Sequence, residues 1–242
     1  MVKVVSRISV VALMVAAGLS QTVNAAPITS NWTPGTVGNW NAGAANAVNW
    51  THSSAPATTT FPNNTGGDNF TVNIDNGGGA NSTVNLNQDV TIDQLNVSSG
   101  DTLNLNSGSD LSFVNGTTLT NNGNINLNGA GPLTRLNFSG ASVIQGSGTI
   151  TLGNSSSNRI NQAGAGAGIT HGVNHTIRGA GNLLGNIGGL NNSGTIIADQ
   201  STALVIDPGL AAVNNTGTLG AESGGTLTLG GGTFNNSGAG TI

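Results

Sequence analysis

Two histidines, His171 and His175, stand four residues apart. On one strand they would share a face, and two imidazoles can hold a metal ion. No acid lies in the same segment to complete a ligand set, so the pair reads as structural. Asp89, Asp93, Asp101 and Asp110 fall in successive turns. Stacked turn carboxylates can bind calcium, but the Gly-Gly-x-Gly-x-Asp repeat that builds such sites is absent. Gly179-Ala180-Gly181 and Gly185 resemble a dinucleotide-binding loop only in composition. Such a loop needs a helix N-terminus after its glycines, and no helical pattern follows. There is no cysteine, no Gly-x-Ser-x-Gly and no Walker loop. A glycoside hydrolase needs paired carboxylates, yet Glu222 is the one glutamate and no two aspartates share a tight turn. The expectation is therefore no catalytic residue, no metal ligand and no cofactor: a protein that is not an enzyme.

Three tryptophans, Trp32, Trp40 and Trp50, are the remaining candidates. An exposed row of indoles can stack on sugars. The competing reading, preferred here, is a cap: the open end of a stacked β-structure exposes core and strand edges that large rings can cover.

The elements that must position these residues follow from one recurring phrase. Leu190-Asn191-Asn192-Ser193-Gly194-Thr195-Ile196 returns as Val213-Asn214-Asn215-Thr216-Gly217-Thr218-Leu219 and, longer, from Phe234 to the final Ile242. Looser copies begin at Leu119, Ile144 and Ile177. Each phrase is apolar, small or amide residues, Gly, Thr or Asn, then apolar. Gly and Asn accept sharp bends, and Asn, Ser and Thr satisfy turn backbone locally. The phrase therefore predicts a strand–turn–strand corner, recurring at intervals that suit a solenoid. Between corners the pattern alternates: Val84 and Leu86 with Asn85 and Asn87, Leu103 and Leu105 with Asn104 and Asn106, Ile150 and Leu152 with Thr151. A period of two is the half-buried strand signature. No helical period appears after the first 25 residues.

Residues 1–25 read as a secretory signal peptide: Lys3 and Arg7, an apolar run from Ile8 towards Leu19, and Val23-Asn24-Ala25 before a cleavage site. The run is too short for a membrane anchor, and no later segment could span as a helix. Residues 26–80 form a Trp-containing N-terminal cap and 81–242 the solenoid repeats. The stretch 153–189 is the least regular, with a glycine–alanine loop from Gly164 to Gly168 expected to leave the solenoid. The sequence stops inside a repeat phrase, which predicts a longer natural protein whose C-terminal anchor is missing from this chain.

Charged residues make up 6% of the 242, and hydrophobic residues 36%. After the signal segment only Arg135, Arg159 and Arg178 oppose nine acids. A nucleic-acid binder needs clustered cations, so that class is excluded. Polar faces built from Asn and Thr suit stacked β-structure, where amides and hydroxyls form ladders.

The Trp-rich head, Val90-Thr91-Ile92-Asp93-Gln94-Leu95-Asn96-Val97, Gly100-Asp101-Thr102-Leu103-Asn104-Leu105, Leu204-Val205-Ile206-Asp207-Pro208 and Gly225-Thr226-Leu227-Thr228-Leu229 together carry a resemblance. The chain resembles secreted bacterial β-helix repeat proteins: autotransporter-passenger-like, haemagglutinin-like or sorting-signal-bearing surface repeat proteins. The resemblance implies an all-β, right-handed parallel β-helix with an N-terminal cap, secreted to the extracellular space or outer cell surface. It implies an exported structural or adhesive stalk with no catalytic activity. Cell-surface or extracellular glycans are the expected partners, with no nucleic acid and no membrane span in the mature part. The alternative is an extracellular polysaccharide-binding or polysaccharide-cleaving β-helix.

Overall fold

The computed structural model describes residues 26–33, 35–41, 49–56, 60–74, 80–114, 116–163 and 168–242. The expected signal peptide, 1–25, lies outside the described residues, as do the turn at 75–79 and 164–167 of the glycine–alanine loop.

Every described element is a β-strand, and the strands wind through three parallel sheets. Sheet A holds β1 (Ile28–Trp32), β3 (Trp50–His52), β4 (Phe70–Ile74), β7 (Gln94–Val97), β10 (Thr118–Asn121), β13 (Ser142–Gln145), β16 (Gly168–His171), β19 (Gly189–Asn192), β22 (Ala212–Asn215) and β25 (Thr233–Asn236). Sheet B holds β2 (Val37–Asn39), β5 (Thr83–Leu86), β8 (Thr102–Leu105), β11 (Asn124–Leu127), β14 (Thr149–Leu152), β17 (Thr176–Gly179), β20 (Thr195–Ala198) and β23 (Thr218–Ala221). Sheet C holds β6 (Val90–Ile92), β9 (Asp110–Phe113), β12 (Thr134–Ser139), β15 (Asn158–Ala163), β18 (Gly181–Leu184), β21 (Leu204–Ile206) and β24 (Leu227–Leu229). The chain visits A, B and C in turn, and each visit stacks on the one before. The result is a β-solenoid of about seven coils. Equivalent positions lie 19 residues apart from Asn85 to Asn104, 22 from Asn104 to Asn126 and 25 from Ser112 to Asn137.

Alternation dictates the core. On sheet B, Val84, Leu103, Ile125, Ile150, Ile177, Ile196 and Leu219 align in register and are all buried. On sheet C, Leu111, Leu136, Ile160, Leu183 and Ile206 do the same. Phe113 stacks on Phe138 with ring centroids 5.1 Å apart. Each such side chain contributes about 1.5–3 kcal/mol on burial.

The recurring phrase is the corner between sheets A and B. Leu190 closes its copy from β19 and Ile196 from β20, with Ser193-Gly194 bending between them. Glycine is required there: a Cβ on Gly217 would sit 2.1 Å from the Gly194 carbonyl oxygen in the coil below. The copy beginning at Ile177 is an exception, because it turns from β17 into β18, the corner between sheets B and C. The segment 153–189 is also more regular than its sequence suggests. Strands β15 to β18 run through it in register with their neighbours. Gly179 and Gly181 act as packing residues: a Cβ on Gly179, at φ 118°, would come 1.8 Å from the Leu152 carbonyl oxygen, and one on Gly181 2.2 Å from that of Asn158.

At the head, β3 lies antiparallel on β1 and covers the first strand of sheet A. Trp32, Trp40 and Trp50 are buried in the same core as the coils.

Candidate functional site

The inward positions of sheet A change chemistry half-way along. Leu119 and Ile144 are followed in the same column by His171, Asn192, Asn215 and Asn236. His171, Asn192 and Asn215 are fully buried. Buried polar groups are costly unless paired, and here they pair with one another. Asn215 Nδ2 donates to Asn236 Oδ1 at 2.8 Å, and Asn192 Nδ2 to Asn215 Oδ1 at 2.7 Å. Asn192 Nδ2 also faces the carbonyl oxygens of Gly194 and Thr218, which fixes which end of the amide is nitrogen. Its Oδ1 must then accept from His171 Nδ1, at 2.6 Å. With that proton placed, His171 Nε2 is an acceptor and takes a hydrogen bond from His175 Nδ1 at 2.9 Å. His175 Nε2 in turn accepts from Asn121 Nδ2 at 3.1 Å, and Gly123 N donates to Asn121 Oδ1. The six side chains form one chain in which every donor faces the C-terminal end.

This polarity requires both histidines to be neutral. Burial pushes His171 down to about 4, partly offset by its bond to Asn192. Burial, then the neighbouring His171, pushes His175 down to about 3. The rings meet edge to face at 5.1 Å. Although four apart, they do not share a strand face: His171 ends β16, and His175 takes the corner position that Gly148 and Gly194 hold in the adjacent coils. Both nitrogens of each ring are engaged within the chain.

The aspartates are dispersed as turn locks. Asp93 Oδ2 accepts from Phe70 N and Asn64 Nδ2, Asp101 Oδ1 from Ser82 N, and Asp89 Oδ1 from Asp110 N. Asp110 holds Arg135 through Nε at 2.9 and 2.8 Å, and Asp199 holds Arg178. Among the described residues no three His, Cys, Asp or Glu side chains gather where they could bind a metal. Ser30 Oγ lies 2.7 Å from His52 Nδ1, a pairing that resembles a nucleophile with its base. Ser30 is fully buried, so no substrate reaches it.

The tryptophans pack inward. Trp50 sits 4.9 Å from both Trp32 and Trp40, and the Trp40 and Trp50 Nε1 atoms donate to the carbonyl oxygens of Pro62 and Trp40. Trp32 and Trp40 are 1% exposed and Trp50 6%. Their ring faces are covered by one another, so a sugar platform made of these three indoles is ruled out.

Amides and hydroxyls dominate the outward positions of sheets A and B. Asn31, Asn73 and Asn96 form one ladder on sheet A, and Asn191, Asn214 and Asn235 another; Asn85, Asn104 and Asn126 climb sheet B. In these outer ladders the later coil donates to the earlier one, the reverse of the buried column. The first sheet A ladder breaks above Asn96, where Thr120 and Gln145 follow and Gly172 adds no side chain. An open cavity of about 470 Å³ occupies the break, lined by Thr120, Asn122, Gln145, Ser147, Val173 and Asn174 with Gly146 and Gly172.

The alternation gives no warning of the buried column unless parity is followed through the phrase. Leu190 points in, Asn191 out and Asn192 in. The same parity places Asn215 and Asn121 inside.

No protein-family model matches the chain, and no curated protein and no solved structure is similar to it. No helix among the described residues is long and apolar enough to cross a membrane.

Proposed function

We propose that this chain is the rod of an exported structural or adhesive protein, which acts by presenting faces and not by catalysis. The observation that carries the reading is the use made of most acids and outward amides. Acids lock turns or pair with arginines, and amides bond along ladders. The side chains that could do acid–base or nucleophilic work are spent on holding coils together. The expected signal peptide supports export, and the resemblance to secreted repeat proteins supports a bacterial surface or matrix location. A cleaving enzyme on this scaffold would need two carboxylates facing one substrate; Asp89 and Asp110 are neighbours, but Asp89 is held by the Asp110 backbone and Asp110 by Arg135.

The reading is tested in cells that make the full chain. Recovery outside the cytoplasm, with an N-terminus at Ala26, and adherence of chain-coated beads to cell or matrix surfaces are the expected results. Retention in the cytoplasm with residues 1–25 intact would refute export. Beads that behave like uncoated ones would refute adhesion.

A further inference from the structure

The geometry points to the cavity at the break in the sheet A ladder as a binding site for a neutral sugar residue of an extracellular polysaccharide. This rests on the surface-contact reading above and names the partner's chemistry and its place. Volume comes first: about 470 Å³ lies within the range of small-ligand sites. Chemistry comes second. No ionisable side chain lines the cavity, so neither an anionic nor a cationic ligand finds a counter-charge. The lining amides and hydroxyls are groups that pair with sugar hydroxyls, which themselves both donate and accept. Elsewhere on this face the asparagines Asn31, Asn73, Asn96, Asn191, Asn214 and Asn235 are spent on ladders. Here Gln145 Nε2 bonds Thr120 Oγ1, and Asn122 Oδ1 accepts from Ser147, leaving Gln145 Oε1, Asn122 Nδ2 and the Asn174 amide for a ligand. Val173, 72% exposed, offers an apolar patch for the C–H face of a ring.

Four residues, 172–175, separate His171 from Thr176, the same number that separates Ile144 from Thr149 in the coil below, whereas two separate Asn192 from Thr195 in the coil above. The two four-residue loops supply Gln145, Gly146, Ser147, Gly172, Val173 and Asn174 to the lining. The His171–His175 hydrogen bond clasps the second of these loops from behind. The surrounding face supports the assignment: the outward residues of β4, β7, β10, β13 and β16 include no charged side chain.

The test is calorimetric titration of the full chain at neutral pH with soluble cello-, chito-, manno- and malto-oligosaccharides, and with oligogalacturonate as the acidic comparison. At least one neutral oligosaccharide should bind. Val173→Asp and Gln145→Ala should each weaken it at least about tenfold, while Asn214→Ala, on the same sheet but distant, should not. The substituted side chains are exposed, and unchanged far-UV circular dichroism would show the fold intact. Binding by none of the neutral sugars, binding only by oligogalacturonate, or binding indifferent to both cavity variants would each overturn the site. The bead and export experiments would be untouched by such a failure, so the two readings fail separately.

Discussion

Asn191 and Asn192 are neighbours in sequence and opposites in consequence. Asn191 accepts from Asn214 at the surface, and Asn192 links His171 to Asn215 inside the core. Asn192→Leu would strand the His171 Nδ1 proton and the Asn215 Oδ1 lone pairs in an apolar interior, at a cost of about 2–4 kcal/mol. Asn191→Leu should change stability by no more than about 0.5 kcal/mol. Urea denaturation of the two variants checks the contrast. The histidines add a pH dependence. Both are neutral in the folded chain, with His171 near 4 and His175 near 3 against an ordinary value of 6.5. Unfolding therefore takes up protons below about pH 6.5, and stability falls as pH is lowered through that window. By pH 4 His171 alone accounts for about 3 kcal/mol of the loss. Melting temperatures between pH 7 and pH 4 should decline steadily, and a His171→Asn variant should flatten the curve.

Strands and corners set the next scale. Gly179→Ala forces a Cβ against the Leu152 carbonyl oxygen at φ 118° and should destabilise by about 2–4 kcal/mol. Gly224→Ala meets open space at φ 80° and bears only the backbone strain, about 1 kcal/mol. Trp50→Ala opens a void between two other indoles and should cost about 3–5 kcal/mol. Thermal melts rank all three. Much of this scale is legible in sequence, because a half-buried strand must alternate and most tight corners between coils are glycine. The Leu103, Ile125 and Ile150 column and the corner at Gly194 follow from those two rules. Other features escape them. The copy at Ile177 turns a different corner because local chemistry is the same at both, and only stacking decides which sheet follows. The segment 153–189 looks loose because glycines such as Gly179 and Gly181 are judged as flexible residues, when neighbouring carbonyls leave room for nothing larger. The outer nitrogens of the His171–His175 clasp find partners only when other coils bring Asn121 and Asn192 into place. Nothing in the spacing of two histidines distinguishes that clasp from a metal site.

The whole molecule has few points where chemistry can take hold. Its three arginines beyond the signal segment, Arg135, Arg159 and Arg178, all sit within hydrogen-bonded strands of the solenoid, and no lysine follows Lys3. A protease that cuts after basic residues needs several extended, detached residues, so trypsin should leave the folded chain intact for hours. After acid or urea unfolding it should cut at those three positions, a contrast visible on a gel. The ladders of backbone hydrogen bonds carry a different meaning under load. They join each coil to the next and lie along the long axis of the solenoid. A pull on its two ends loads those bonds one rung at a time and peels the coils in sequence. Each coil of 19 to 27 residues from Asn85 onward would release roughly 65–90 Å of slack at about 3.4 Å per residue. A tether built this way lengthens in steps and dissipates work at each one, and the coils threaded by the histidine–asparagine column would be the last to give.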